Sequence, residues 1–395
     1  MTAQNLYDLS PALRLMLMGL AVAMGPLAWI WLRSRHTPAA QRLRVLTLVT
    51  LFLTFDLVVF GAFTRLTDSG LGCPDWPGCY GHASPVGAQL HIEAAQNVMP
   101  TGPVTQSKAW IEMIHRYLAT GVGVMILTLV IASVLERRRA NALSTQASSV
   151  RVEIWWPVVT LVWVCLQGAF GALTVTMKLF PAIVTFHLLG GLILLALLKA
   201  QVVRHAQAGG YAAVSLSRGT RMFVFATFAL LWVQIALGGW VSTNYAVMAC
   251  TDFPSCQGSL WPVMDFSQGF TFWRALGADG DGGYISFQAL TAIHYVHRLS
   301  AYVVFAAMLA LAFKLNHLPP MRSQARWLGG LALLQMATGL GNVLLGWPLA
   351  AAVLHTGGAA ALVVALTGIV FSSRRALLPS PTLTASKSGA TRSSA

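Results

Sequence analysis

Four histidines lie inside long apolar stretches of the chain, where an ionisable side chain is costly and marks a candidate site. They are His115, His187, His297 and His355. A single histidine on an apolar helix is most often a packed core residue, but four at repeat-equivalent positions favour ligation. Two imidazoles from facing helices can bind a haem iron from both sides, whereas zinc needs more ligands and copper favours further sulfur or nitrogen. The pattern therefore indicates two haem sites.

A carboxyl group accompanies only one of these histidines. Glu112 and His115 are three residues apart, so a helix projects both side chains from one face, about one turn apart. The second copy of this segment has His294 before His297 instead. A carboxylate close to an iron ligand can move protons, and His294 cannot supply its negative charge. Glu112 is therefore a candidate catalytic residue, and the alternative is a buried salt bridge to Arg116.

Three arginines near the histidines are candidates for contacts with haem propionates. Arg116 and Arg298 directly follow His115 and His297, and each fits either a propionate contact or a buried structural pair. Arg65 stands at the end of an apolar stretch, where a solvated interfacial charge is the alternative.

The histidines must be positioned by membrane-spanning helices, because the chain around them is unusually apolar. Hydrophobic residues make up 56% of the 395 residues and charged residues only 10%, against about 25% charged in soluble proteins. Nine apolar stretches reach the roughly 20 residues needed to cross a bilayer. They cover residues 12–32, 44–64, 109–135, 154–176, 181–203, 220–243, 287–314, 326–346 and 349–372. The four histidines fall on the third, fifth, seventh and ninth.

An internal repeat relates the two halves of the chain. The segments GAFTRLTDSGLGCPDWPGC from Gly61 and GGWVSTNYAVMACTDFPSC from Gly238 align without a gap. A second match, LQGAFG with LQMATG, carries His187 onto His355. Since each half has an even number of spans, the repeats are parallel. The predicted fold is an all-α polytopic membrane protein with two pseudo-symmetric four-helix bundles and one extra N-terminal transmembrane helix.

The repeat also sets the expected domain boundaries. Residues 1–43 comprise the extra N-terminal transmembrane helix and a loop, residues 44–205 the N-terminal bundle, and residues 206–375 the C-terminal bundle. Residues 376–395 are rich in Ser, Thr, Pro and Ala, which predicts a disordered tail.

The net charge of +14 reflects the orientation of the chain in the membrane. Basic residues cluster in every second connection between spans, which is the positive-inside pattern. This pattern places the N-terminus outside and the C-terminus in the cytoplasm of a multi-pass membrane protein. Contact with anionic membrane lipid accounts for the excess charge, so no nucleic-acid partner is predicted.

Two cysteine pairs with the same spacing lie in connections assigned to the outside. They are Cys73 with Cys79 and Cys250 with Cys256. Disulfides form and persist outside a bacterial inner membrane, so both pairs are predicted to be disulfides that staple their loops. A thiol pair that cycles during turnover is the alternative. A zinc site of all four thiolates is possible by count, but the compartment and the spacing argue against it.

The sequence resembles the haem A synthase family on these features taken together. The resemblance rests on the segment from Gly61 to Cys79, EMIHR, HYVHR, the histidines on the fifth and ninth spans, and the duplicated layout across residues 44–372. Members of this family oxidise a porphyrin methyl group of haem O to a formyl group, giving haem A for terminal oxidases. The paired cysteines match the subgroup with outer-loop disulfides. One departure is the extra first span, since the family core has eight helices.

The resemblance assigns roles to individual residues. It implies haem b as cofactor, held by His297 and His355 in the C-terminal half. It implies substrate haem held by His115 and His187 in the N-terminal half, with Glu112 catalytically important. It also implies a bacterial inner-membrane location and, as partners, a haem O synthase (a farnesyltransferase) and an electron-transfer partner; a homo-oligomer is compatible with it.

Competing functions from other classes share the same histidines. One is a di-haem protein that transfers electrons from quinol, in which the asymmetry at Glu112 is incidental. Another is a haem carrier or assembly factor that binds haem without reacting. A transporter built from parallel repeats is disfavoured, because the sequence gives no sign of helices broken near the membrane midplane.

Overall fold

The computed structural model describes residues 10–143 and 153–375, which form eleven α-helices named here in chain order. The first six are α1 (Ser10–Ser34), α2 (Ala39–Leu66), α3 (Gln89–Val98), α4 (Gln106–Leu143), α5 (Trp155–Thr176) and α6 (Pro181–Ala208). The other five are α7 (Arg218–Thr243), α8 (Phe266–Gly269), α9 (Phe287–Asn316), α10 (Arg322–Leu344) and α11 (Leu349–Ser372).

Nine of the described helices, all but α3 and α8, are long and apolar enough to cross a membrane. Each overlaps one of the predicted stretches, so the prediction of an all-α polytopic membrane protein is confirmed. The largest difference is at α4, which was expected to end at residue 135 and continues to Leu143. On this extension Glu136 pairs with Arg42 at 2.9 Å, so the extension is held against the start of α2.

The spanning helices of each half pack as a ring of four. In the first ring, α2 packs against α4 and α6, and α5 closes the ring between α4 and α6. In the second ring, α7 packs against α9 and α11, and α10 closes the ring between α9 and α11. The rings meet through α2 and α6 of the first and α7 and α11 of the second. Fully buried side chains such as Leu195 and Leu198 of α6, and Leu362 and Leu366 of α11, belong to one continuous core.

The additional helix α1 lies outside the first ring and packs mainly against α4. Small residues permit the close approach. A methyl group on Gly19 of α1 would collide with Thr120 of α4, and one on Gly121 of α4 would stand 3.1 Å from Val22 of α1. Small residues at such crossings let helix backbones approach within a membrane. α1 is therefore docked on the helix that carries His115.

The two ends of the bundle differ in their connections. The disulfide end carries the loops between α2 and α4 and between α7 and α9, together with the short connections from α5 to α6 and from α10 to α11. The arginine end, named for basic residues such as Arg204 and Arg218, carries the other connections between spans. At the arginine end a two-stranded parallel sheet pairs β1 (Val214–Leu216) with β2 (Ser373–Arg375). Three-residue strands are too short to show the alternation that predicts a strand, so the sequence did not indicate them. The tail predicted to be disordered, 376–395, lies outside the described residues.

Candidate functional site

Each of the four span histidines packs against a glycine of a neighbouring helix in its own ring. The pairs are His115 with Gly61, His187 with Gly171, His297 with Gly238 and His355 with Gly339. A methyl group built on the glycine would stand between 2.9 and 3.3 Å from Cε1 of the imidazole. Packed interiors do not accommodate such contacts without a shift. The glycines therefore leave the space in which the imidazole rings lie.

The structure brings the histidines together two by two, once in each ring. His115 on α4 is close enough to His187 on α6 to interact with it electrostatically, and His297 on α9 has the same relation to His355 on α11. All four side chains are half-buried. Each pair thus faces the interior of a four-helix ring, the place where bundle proteins hold cofactors.

The side chains around these pairs fit a haem iron better than a bare metal ion. Among residues 10–143 and 153–375, no three His, Cys, Asp or Glu side chains come together as a metal site. A bare zinc ion needs three or four protein ligands. A haem iron needs only axial ligands from the protein. A pair of imidazoles in each ring meets that requirement.

Glutamines that the sequence analysis did not single out contact three of the four histidines. Gln167 Nε2 lies 3.0 Å from His187 Nδ1 and donates to the His187 carbonyl oxygen at 2.6 Å. Gln234 makes the corresponding contacts with His297 at 3.1 and 3.2 Å. Gln335 donates to the carbonyl oxygen of the fourth histidine at 3.0 Å. Each of these three glutamines lies four residues before the glycine that packs against the same imidazole, and this spacing is the signal in the sequence.

Two glycines leave space for two of these glutamine side chains. A methyl group on Gly190 would collide with Gln167 Oε1, and one on Gly358 would collide with Gln335 Oε1. These glycines follow His187 and His355 by three residues, and they leave room for the glutamine amide beside the histidine backbone.

Glu112 is buried at the disulfide end of α4, with 4% of its surface exposed, and its carboxylate has two partners. Its carboxylate accepts a hydrogen bond from the Cys73 backbone N–H at 2.8 Å and forms an ion pair with Arg116. Arg116 also donates to the carbonyl oxygens of Asp75 at 3.0 Å and Gly78 at 2.5 Å. The salt bridge considered as an alternative is therefore present. Glu112 remains one turn from the iron-ligand candidate on α4, so the ion pair and a role in chemistry are compatible.

The second ring repeats this arrangement without the carboxylate. Arg298 Nε donates to His294 Nε2 at 3.3 Å, and its other nitrogens donate to the carbonyl oxygens of Asp252 at 2.8 Å and Cys250 at 2.6 Å. Arg298 and its first-ring equivalent Arg116 thus both bind a disulfide loop to the helix that carries a histidine. Of the two alternatives for these arginines, the contacts favour the structural one over a propionate contact.

We expect Arg116→Gln to lower thermal stability more than Arg298→Gln. The first substitution leaves the Glu112 charge buried without its partner, which costs about 3–5 kcal/mol. The second leaves only neutral acceptors unpaired, at about 1–3 kcal/mol. Thermal unfolding of the detergent-purified variants measures the difference. Unchanged melting temperatures with loss of bound haem would instead indicate propionate contacts.

The predicted disulfides are both present. They join Cys73 to Cys79, with 4.9 Å between Cα atoms, and Cys250 to Cys256, with 4.8 Å. In the second loop Asp252 accepts hydrogen bonds from the backbone N–H groups of Gln257 at 2.8 Å and Gly258 at 3.0 Å. The Ser255 hydroxyl, together with these amides, lowers the pKa of Asp252 to about 2. An ionised carboxylate therefore closes the disulfide loop at neutral pH.

Arg65 joins the two halves at the disulfide end. Its Nη2 donates to the Ser242 carbonyl oxygen at 2.5 Å, and its guanidinium carbon lies 4.2 Å from the centre of the Tyr245 ring. The Tyr245 hydroxyl donates to Asp68 at 2.6 Å. In the gapless repeat alignment Arg65 is equivalent to Ser242 and Asp68 to Tyr245, so repeat-equivalent residues contact each other here. These contacts account for Arg65 by packing between the halves.

Comparison with known proteins identifies similar chains across most of this length. The sequence profile of the COX15-CtaA family, described as cytochrome oxidase assembly protein, matches residues 44–367. A heme A synthase of Shewanella oneidensis is 35% identical over 321 residues, which cover 81% of this chain and 93% of that protein. Heme A synthases of a Caulobacter strain and of Mesorhizobium japonicum are 28% and 27% identical, over 87% and 78% of this chain and 99% and 84% of theirs.

Proposed function

Because this chain belongs to the COX15-CtaA family of cytochrome oxidase assembly proteins, we propose that it is a haem A synthase, an oxidoreductase that converts haem O to haem A. One observation supports the proposal above others. Each ring brings together two span histidines on glycine-lined helices, and only the first ring adds a carboxylate one turn away. Two similar sites that differ at one ionisable position suit a cofactor and a substrate of the same chemical class.

In this proposal His297 and His355 would hold haem b, and His115 and His187 would hold the substrate haem. Bound haem supplies the redox chemistry that oxidises a porphyrin methyl carbon. The chain's own residues orient the two macrocycles within their rings and exclude water from them. Glu112 holds or transfers a proton beside His115, while the Arg116 ion pair keeps its position on α4.

The overall reaction requires a source of oxygen, an acceptor for electrons and a path for protons. Converting a methyl to a formyl group adds one oxygen atom, taken from water, and releases four electrons and four protons. The electrons pass to a membrane redox partner, and the protons leave through groups near Glu112. A haem O synthase is the proposed supplier of substrate, and membrane lipid surrounds the nine spans.

The proposed setting is a bacterial inner membrane, with the N-terminus in the periplasm and the C-terminus in the cytoplasm. The alternation of basic connections supports this orientation. So do the disulfide loops, which then face the oxidising compartment. We keep the proposed division of the chain at residues 44, 206 and 375, with haem O bound in the first bundle and haem b in the second. Residue 44 lies inside α2, which begins at Ala39, and residue 206 lies inside α6, which ends at Ala208.

The conversion is tested by expressing the chain in cells that make haem O but no haem A. Extracted pigments, identified by mass, are expected to contain haem A with the wild-type chain and only haem O with His187→Ala. A wild-type chain that leaves haem O unchanged would identify a carrier or an electron-transfer protein.

A further inference from the structure

The hydrogen-bond partners of the four histidines are not equivalent, although their packing is. Three of them contact a glutamine on the adjacent helix. That glutamine lies four residues before the glycine that packs against the imidazole. At the fourth, His115, the corresponding position on α2 is Leu57, four residues before Gly61. Leucine cannot donate or accept a hydrogen bond. Within the described ranges, the buried Nδ1 of His115 accordingly has no hydrogen-bond partner.

A histidine that binds iron through Nε2 carries its proton on Nδ1, and that proton needs an acceptor. His355 has one in Thr338, whose hydroxyl oxygen lies 3.0 Å from Nδ1 and itself donates to the Leu334 carbonyl oxygen at 2.9 Å. For His187 and His297, the glutamine amide carries both a donor and an acceptor at Nδ1, so a turn of the amide can present its oxygen there. Gln234 Oε1 is buried and has no partner among the described residues, which leaves it free for that proton.

Among the residues that the structure describes, the contacts recorded for the His115 ring are packing contacts. Phe60 stacks near its ring, with centroids 6.2 Å apart and planes 14° from parallel, and Gly61 lies beneath. Neither contact fixes which nitrogen carries the proton, nor does it strengthen the imidazole as a ligand.

We propose that Gln167 and Gln234 are positioning residues for His187 and His297, and that Gln335 is one for His355 through its backbone carbonyl oxygen. We further propose that Leu57 makes His115 the weak, exchangeable ligand of the first ring. This inference rests on the proposed function. Substrate haem is then held firmly by His187 and loosely by His115. A weak ligand on one face suits a macrocycle that must enter as haem O and leave as haem A, whereas haem b stays between two positioned histidines.

A second sequence difference between the rings lies about one turn after His115 on α4. Leu118 lies three residues after His115, at the position where the second ring has Ser300 after His297. The double variant Leu57→Gln/Leu118→Ser therefore reproduces the pair Gln234 and Ser300 in the first ring. Leu57→Met/Leu118→Ser is its matched control, since methionine has the length of glutamine without the amide.

Carbon monoxide binding to the dithionite-reduced, haem-loaded full chain tests the inference without turnover. The wild-type chain is expected to bind carbon monoxide at one haem, with a shifted Soret band that is lost in His187→Ala. Leu57→Gln/Leu118→Ser should weaken that binding by about ten-fold or more, the usual effect of a hydrogen-bond partner on a ligating histidine. The methionine control should behave as wild type.

The same carbon monoxide measurement is applied to variants of the second ring. Gln335→Met and Gln234→Met should make haem b accessible to carbon monoxide, and they should speed its transfer to excess apomyoglobin. Equal carbon monoxide binding in the glutamine and methionine double variants would overturn the inference, as would no change in Gln234→Met and Gln335→Met. Pigment extracts of the wild-type chain show separately whether haem A is made, so failure of the proposed function would be recognised by itself.

Discussion

Replacing His297 or His355 with alanine is expected to remove the low-spin haem b spectrum from the purified protein and to stop haem A production. Each imidazole lies in a pocket formed by a glycine and a glutamine of the adjacent helix, so the substitution removes a ligand without disturbing the ring around it. An iron deprived of one axial histidine becomes high-spin or is lost. Absorption spectra of the reduced protein measure the change.

The matched control is His91→Ala, because His91 is exposed within α3 and its ring stacks on Tyr80, next to Cys79 of the first disulfide loop. Its spectrum should equal that of wild type. An unchanged low-spin spectrum in both the His297→Ala and His355→Ala variants would refute the ligand assignment.

Removing the carboxylate of Glu112 is expected to block formyl production while haem stays bound. The variant Glu112→His copies the second ring, where His294 accepts a hydrogen bond from Arg298 four residues later in the chain. Arg116 should therefore keep a partner and the disulfide loop should keep its place. What is lost is the negative charge one turn from His115. General acid–base groups contribute about 100-fold or more to rate, so haem A yield per haem O supplied should fall by at least that factor.

The outcome separates the two explanations of Glu112. Bound haem and melting temperature near wild type, with haem A absent, support a role in chemistry. Glu112→Ala should also lose haem A, with a lower melting temperature because Arg116 and the Cys73 amide lose their acceptor. Normal haem A yield in Glu112→His would show that the carboxylate serves only to hold the loop.

The spans and the disulfides could be predicted because their signals are local. An apolar stretch of sufficient length must be helical in a membrane, since every backbone hydrogen bond has to be made within it. The cysteine pairs close loops of equal length, and an internal repeat made each pair support the other. The four histidines could be identified as candidates for the same reason, because they are polar residues at matching positions of otherwise apolar stretches.

The partners of these residues could not be predicted, because they depend on which helix faces which. Gln234 and Gly238 lie on α7, while the histidine they contact lies on α9, and no feature of either segment alone specifies the other. Arg65 presented a similar difficulty. Its acceptor, the Ser242 carbonyl oxygen, is on the opposite half. Every residue has a backbone carbonyl, so the sequence does not indicate which one accepts this hydrogen bond. The two short strands at the arginine end were missed because three residues cannot show a period.

The most direct test of the account is the identity of the pigments held by each half. Full-length protein is purified from cells that make haem O, as wild type, as His115→Ala/His187→Ala and as His297→Ala/His355→Ala, and the extracted haems are identified by mass. We expect haem b together with haem O or haem A in wild type. We expect haem b alone in the first variant and loss of haem b in the second. The same pigments in the same ratio from both variants would contradict it.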